Sequence, residues 1–205
     1  MINIDRNIKN FFPSKGKNIF LIVSCALFLI AGCKKDNNSS KPPTTGDLVL
    51  SSEKIPYGQS YAVKGYSLSQ GKYIDYLAGA GTGNPDWVLS EIIDAQSNPI
   101  GTDIQSPGNS NAFFKIGSFD NAIDAETAFN SLLEVTSSQF SATAPDVKAN
   151  EVYVYKSLAG NYAKFWVKSV QIISQTVSVP YVQVTLGWEY QPDGTNKFPA
   201  PGSSD

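Results

Sequence analysis

Tyr181-Val-Gln-Val-Thr-Leu-Gly-Trp-Glu-Tyr190 alternates without a break: Val182, Val184, Leu186, Trp188 and Tyr190 fall on one side, and Gln183, Thr185, Gly187 and Glu189 on the other. A period of two held over this length marks an antiparallel strand with one face in a core. Working back along the chain, residues 162–173 form a second apolar run with Phe165, Trp166, Val167, Val170, Ile172 and Ile173. Before it stand the turn residues Ala159-Gly160-Asn161 and the run Val152-Tyr-Val-Tyr-Lys-Ser-Leu158, dense in β-branched and aromatic side chains. Together these segments predict a hairpin followed by a closing strand. Pro192-Asp193-Gly194 predicts a turn, with Lys197-Phe198 as a short edge strand after it.

Further strands are expected at 60–69, 72–77, 87–93 and 112–116, between Gly-, Asn- and Pro-rich turns. One stretch reads as helix, Asp124-Ala-Glu-Thr-Ala-Phe-Asn-Ser-Leu-Leu-Glu-Val135. Ala125, Ala128, Phe129, Leu132 and Leu133 recur at helical spacing, with Asp124 as the expected N-cap. No internal repeat and no long linker divides the chain after Leu48. The expected fold is therefore mainly β, a single antiparallel domain over 48–205 with one principal helix.

The N-terminus has a different grammar. Arg6, Lys9, Lys15 and Lys17 face a single acid, Asp5, and residues 19–31 (IFLIVSCALFLIA) are nearly all apolar. As a helix that run would reach about 20 Å, short of a bilayer core of about 30 Å. A basic start, a short apolar run and small residues before a cut describe a secretory signal peptide over 1–32. Ile30-Ala31-Gly32-Cys33 resembles the lipobox of bacterial lipoproteins, which implies a lipidated Cys33 as the first mature residue. Residues 33–47, with Pro42 and Pro43 and no apolar residue after the Cys, read as a flexible tether. Lys34, rather than Asp, follows Cys33, and Lys34-Lys35-Asp36 loosely resembles Bacteroidetes surface-export signals. Both imply the outer membrane, at its periplasmic face or the cell surface. Loss of the leader leaves 12 basic against 17 acidic residues, a formal charge of −5. It also removes Cys25, so no disulfide is available to the mature domain.

Composition excludes much chemistry. The chain has no histidine, and its single methionine is Met1, so no His-dependent triad, imidazole metal site or His-ligated haem can form. A net charge of −2 offers nucleic acid no electrostatic footprint. Gly79-Ala-Gly-Thr-Gly83 begins like a dinucleotide-binding turn, but Asn84 and Pro85 break that pattern and leave a loop. Asp86, Glu91 and Asp94 match no calcium-loop spacing, and Asp120, Asp124 and Glu126 read as helix-capping. No Gly-x-Ser-x-Gly elbow is present, and nothing singles out a pair of glycosidase carboxylates. No catalytic or metal-binding residue is assigned, and an enzyme is not expected. Tyr153, Tyr155, Trp166, Trp188 and Tyr190 are assigned to the core. Tyr57, Tyr73, Tyr76 and Phe113, read as loop aromatics, are the candidate ligand contacts.

Three pieces carry a family resemblance: Tyr66-Ser-Leu-Ser-Gln-Gly71, Asp86-Trp87, and the hairpin from Val152 to Lys168 with Val182 to Tyr190 closing it. In order and spacing, over roughly 57–198, they resemble the HmuY-like lipoproteins of Bacteroidetes, whose founding member captures haem. The resemblance implies an all-β fold with a ligand pocket in loops at one end. The family's haem ligands, paired His or in some relatives Met, are missing from the mature chain. A Tyr phenolate could ligate ferric haem, but no Tyr of this chain matches a ligand position of the family. No cofactor is therefore expected. The expected ligand is a small hydrophobic or porphyrin-like molecule or a surface protein, and the membrane is reached through the lipid. A glycan-binding or adhesion-type surface lipoprotein is the alternative.

Overall fold

The computed structural model describes residues 42–80, 83–174 and 179–200. Cys33, the expected signal peptide and most of the expected tether lie outside them, as do Gly81 and Thr82 of the Gly-rich loop. In chain order the strands are β1 (Thr45–Ser51), β2 (Ile55–Tyr57), β3 (Ser60–Ser67), β4 (Lys72–Tyr76), β5 (Val88–Ile93), β6 (Pro99–Gln105) and β7 (Phe113–Ser118). One helix, α1 (Ala122–Ser131), precedes β8 (Thr143–Ala144), β9 (Glu151–Lys156), β10 (Tyr162–Ile173) and β11 (Tyr181–Gln191). The fold is mainly β, with every pairing antiparallel and a single helix among the described residues.

The main sheet has the order β1-β11-β10-β9-β7. Its register turns sequence alternation into rows of side chains across strands. Phe165 lies opposite both Trp188 and Tyr153, and Ala163 opposite both Tyr190 and Tyr155. These inner rows meet a second layer made of two small sheets, β2-β3-β4 and β5-β6-β8. A backbone bridge joins the two, with Tyr66 N–H donating to Trp87 O at 2.8 Å and Trp87 N–H to Tyr66 O at 3.1 Å. Trp87 thus enters the core at the seam. It is fully buried, with edge-to-face contacts to Phe165 (5.1 Å between centroids), Tyr155 (5.6 Å) and Trp188 (6.5 Å).

The outer face of the main sheet is covered too. Val152 and Trp166 pack under Ala125, Ala128 and Phe129 of the helix, and Val154 packs with Val135, Phe140 and Phe198. Lys164 stands on this face with only 1% of its side chain exposed. Its ammonium is 3.0 Å from Glu189 Oε2 and donates to Leu132 O at 3.1 Å, between the rings of Phe129 (4.7 Å) and Phe198 (5.0 Å). Cation–π attraction replaces part of the hydration that this charge loses.

The helix is shifted from the expected 124–135. Asn121, not Asp124, is the N-cap: its side-chain oxygen accepts Asp124 N–H at 3.0 Å, and its amide donates to the Asp124 carboxylate at 2.8 Å. The helix ends at Ser131, where Leu132 N–H turns back to Phe129 O at 3.4 Å and the backbone groups that follow have partners outside the helix. Leu132 O takes Lys164, Leu133 O takes Phe198 N–H (2.8 Å), and Val135 N–H goes to Asn196 O (2.8 Å). Leu133 is consequently exposed rather than part of the apolar stripe. β1 begins at Thr45, inside the segment expected to be tether, and Thr44 O accepts Tyr190 N–H at 2.6 Å. β2, β6 and β8 were not expected. Along the open side of β1, the Tyr73 hydroxyl donates to Val49 O (2.7 Å) and accepts from Val49 N–H (3.3 Å). At the opposite edge, Phe113 of β7 exchanges backbone hydrogen bonds with Ser141.

Candidate functional site

Several connections meet at one end of the two layers, because β3, β6, β9 and β11 finish there while β4, β5 and β10 begin there. The turn after β3, the loop before β5, Ser106-Pro107 after β6, the β9–β10 turn and Tyr190 enclose a cleft of about 230 Å³. Asp86 forms its floor. One carboxylate oxygen accepts Leu68 N–H at 2.8 Å and the other accepts the Tyr155 hydroxyl at 2.9 Å. The same hydroxyl lies 3.1 Å from Ser106 Oγ, so four chain segments share one hydrogen-bond chain. At the rim, Asn161 donates from its side chain to Tyr190 OH at 2.9 Å and from its backbone to Ser157 Oγ at 3.1 Å. Gly65 is needed for the wall: a Cβ there would collide with the Pro85 ring, which rests on β3. Beyond the Asn161–Tyr190 pair lies a second hollow of about 210 Å³, walled by Pro42, Pro43, Leu68 and Pro192.

The four aromatics expected to contact ligand are elsewhere. Phe113 is a correction: it opens β7, within the strand expected at 112–116, and is 1% exposed and packed against Tyr155 and Phe165 rather than free to meet a ligand. Tyr73 lies in β4 with its hydroxyl committed to Val49. Tyr57 belongs to β2 opposite Ser60, and Tyr76 to the end of β4 opposite Val63. None of the four lines the cleft. The residues that do line it gave weak local signals. Asp86, an acid immediately before a buried tryptophan, was the most readable of them.

The carboxylates considered for a cation do not converge. Glu91 accepts Ser52 Oγ (2.7 Å), and Asp94 closes the β5–β6 turn by accepting Gln96 N–H (2.9 Å) and Asn98 N–H (2.8 Å). Among the described residues no three acidic, Cys or His side chains are grouped to hold a metal. Glu151 is buried but fully engaged, by Lys115, Ser118, Lys148 N–H and the Tyr153 hydroxyl. No helix among the described residues is long and apolar enough to cross a membrane.

Burial sets the protonation of the site. It pushes the Asp86 carboxyl above the usual carboxylate range, against the opposing pull of Leu68 N–H and the Tyr155 hydroxyl. Tyr155 is pushed up by burial and then by the Asp86 charge, and Tyr190 by burial. These phenols are therefore held as neutral donors. Because the folded pKa of Asp86 is raised, unfolding releases its proton once pH exceeds the unfolded value of about 3.9. Its contribution to stability is thus greatest in acid and is lost as pH rises toward the raised folded value. Relative to Asp86→Asn, the wild type should lose stability through that window and run parallel above it. Urea midpoints measured from pH 4 to 8 check this, and parallel curves throughout would contradict it.

No family model matches this chain, and no curated protein is similar to it.

Proposed function

We propose that this chain is a lipid-anchored binding protein of the bacterial outer membrane, HmuY-like in fold, that holds a small ligand in the cleft over Asp86 and catalyses no reaction on it. The observation that carries the reading is the cleft itself, assembled from distant turns over a floor whose hydrogen bonds are already made. Such preorganisation suits binding. Asp86 is the one acid in the lining, so a two-carboxylate hydrolytic site lacks its second member there. Anchoring follows from Cys33 in its lipobox-like setting. The anchor places the protein at the periplasmic face or cell surface, with the membrane as its first partner and nucleic acid excluded by charge.

Haem fits this cleft poorly. The cleft alone lies below the roughly 300–1,000 Å³ of ordinary small-molecule pockets, and the adjoining hollow is divided from it by Ser69, Asn161 and Tyr190, which a rigid porphyrin plane would have to cross. The lining includes no lysine or arginine to meet propionates, and the hydroxyls of Tyr155 and Tyr190 are already engaged, by Asp86 and Ser106 and by Asn161. One preparation tests both halves of the proposal. Expressed with its own leader in a Gram-negative host, the chain should fractionate with membranes, and Cys33→Ala should release or stall it. The detergent-extracted protein, titrated with hemin, should show no stoichiometric low-spin Soret and Q-band spectrum. An unmodified, membrane-free chain would sink the anchor, and a low-spin complex at low micromolar hemin would sink the ligand reading.

A further inference from the structure

We infer that the cleft over Asp86 recognises a neutral sugar ring, with the adjoining hollow taking a second ring linked to it. This rests on the cleft being the binding site and names the ligand class. Around the mouth stand Ser69, Gln70, Asn84, Ser157 and Asn161, whose hydroxyls and amides each offer both a donor and an acceptor. Sugar hydroxyls have the same dual character. An anionic ligand needs cationic partners, and the lining holds no lysine or arginine. A cationic ligand needs free carboxylate oxygens, yet both oxygens of Asp86 are taken, by Leu68 N–H and the Tyr155 hydroxyl. The absence of lysine and arginine selects against anions, the two hydrogen bonds already on Asp86 leave it fewer acceptor positions for a cation, and the uncharged polar lining suits hydroxyls.

Size and surface agree. The cleft of about 230 Å³ and the hollow of about 210 Å³ are each of single-ring scale, and they share Ser69, Asn161 and Tyr190 as a common partition. The Tyr190 hydroxyl accepts from Asn161, which leaves its own hydrogen to donate across that partition. The second hollow is floored by Leu68 and the rings of Pro42, Pro43 and Pro192, a surface of C–H groups suited to the apolar face of a pyranose. A linked pair of rings, one in each compartment, would bury more of both walls than a single ring.

The test uses the full chain and a defined panel by isothermal calorimetry: methyl glucoside, galactoside and mannoside, the disaccharides maltose, cellobiose and lactose, and charged controls glucuronate and glucosamine. At least one neutral disaccharide should bind with a dissociation constant of about 1 mM or tighter, and the charged controls about tenfold more weakly or not at all. Ala159 lies exposed on the β9–β10 turn and lines the cleft, so Ala159→Trp should plug it without touching the core and abolish binding. Gln70→Ala with Asn84→Ala, both at exposed positions, should weaken binding by about tenfold while the thermal midpoint stays put. Binding of a charged control that Ala159→Trp abolishes would overturn the ligand class and keep the cleft as the site. Binding that survives Ala159→Trp would overturn the cleft itself. No binding by any neutral sugar overturns the inference.

Discussion

Replacing Trp87 with alanine will lower the free energy of unfolding by about 3–5 kcal/mol, by lost burial and by the cavity left behind. The indole is fully buried and touches rings from β9, β10 and β11, all held in place by the main-sheet ladder. Those strands cannot slide inward without breaking register, so the hole will not collapse. Trp87→Phe should cost much less, since it keeps a ring and deletes an indole N–H that is buried without an acceptor. Trp188→Ala should fall in the same range of about 3–5 kcal/mol, and the double variant should fall short of the sum because the two rings touch. Urea denaturation reads the effect as a lower midpoint. An unchanged midpoint for either alanine variant would contradict its place in the core.

Lys164→Ala should cost about 3–5 kcal/mol for a different reason, the stranding of a partner charge. Glu189 would lose its counter-ion while its second oxygen, Oε1, is already buried without a hydrogen-bond partner. The Leu132 carbonyl and the two phenyl faces would lose their donor at the same time. Lys164→Met with Glu189→Gln should recover most of the loss, because an apolar stem and a neutral amide fit the same space. If Lys164→Ala alone were nearly neutral, the buried pair would have to be solvated in a way that 1% exposure does not allow.

The main sheet was legible because its strands repeat a two-residue pattern over long runs. β10 occupies the expected 162–173, and β11 runs one residue past the expected Tyr190. β1 was missed because Thr45, Gly46 and Asp47 hide the alternation of Leu48 and Leu50. β6 was missed because Gly101, Thr102 and Asp103 break up its apolar residues, and Ile100 faces solvent. The helix was recognised by its stripe and overrun at its end, since nothing local announces that Lys164 and Phe198 will claim the Leu132 and Leu133 carbonyls. The cleft was illegible for the same reason on a larger scale. Leu68, Asp86, Ser106 and Tyr155 are far apart in sequence, and only the register of two layers brings them together. Choosing aromatics for exposure instead selected Phe113, a residue of the core.

The Tyr73 contact with Val49 bears on how copies of this domain tolerate one another. A five-stranded sheet has two outer strands, and bare backbone on such a strand is a template on which a second chain can polymerise. At β1 the Tyr73 phenol takes both the N–H and the C=O of Val49, so a foreign strand would have to displace it before pairing there. At β7 the other margin is occupied at Phe113 by Ser141 and bent by a bulge between Lys115 and Gly117. Each outer strand of the largest sheet thus has one position at which a second copy would first have to displace a contact the domain makes with itself.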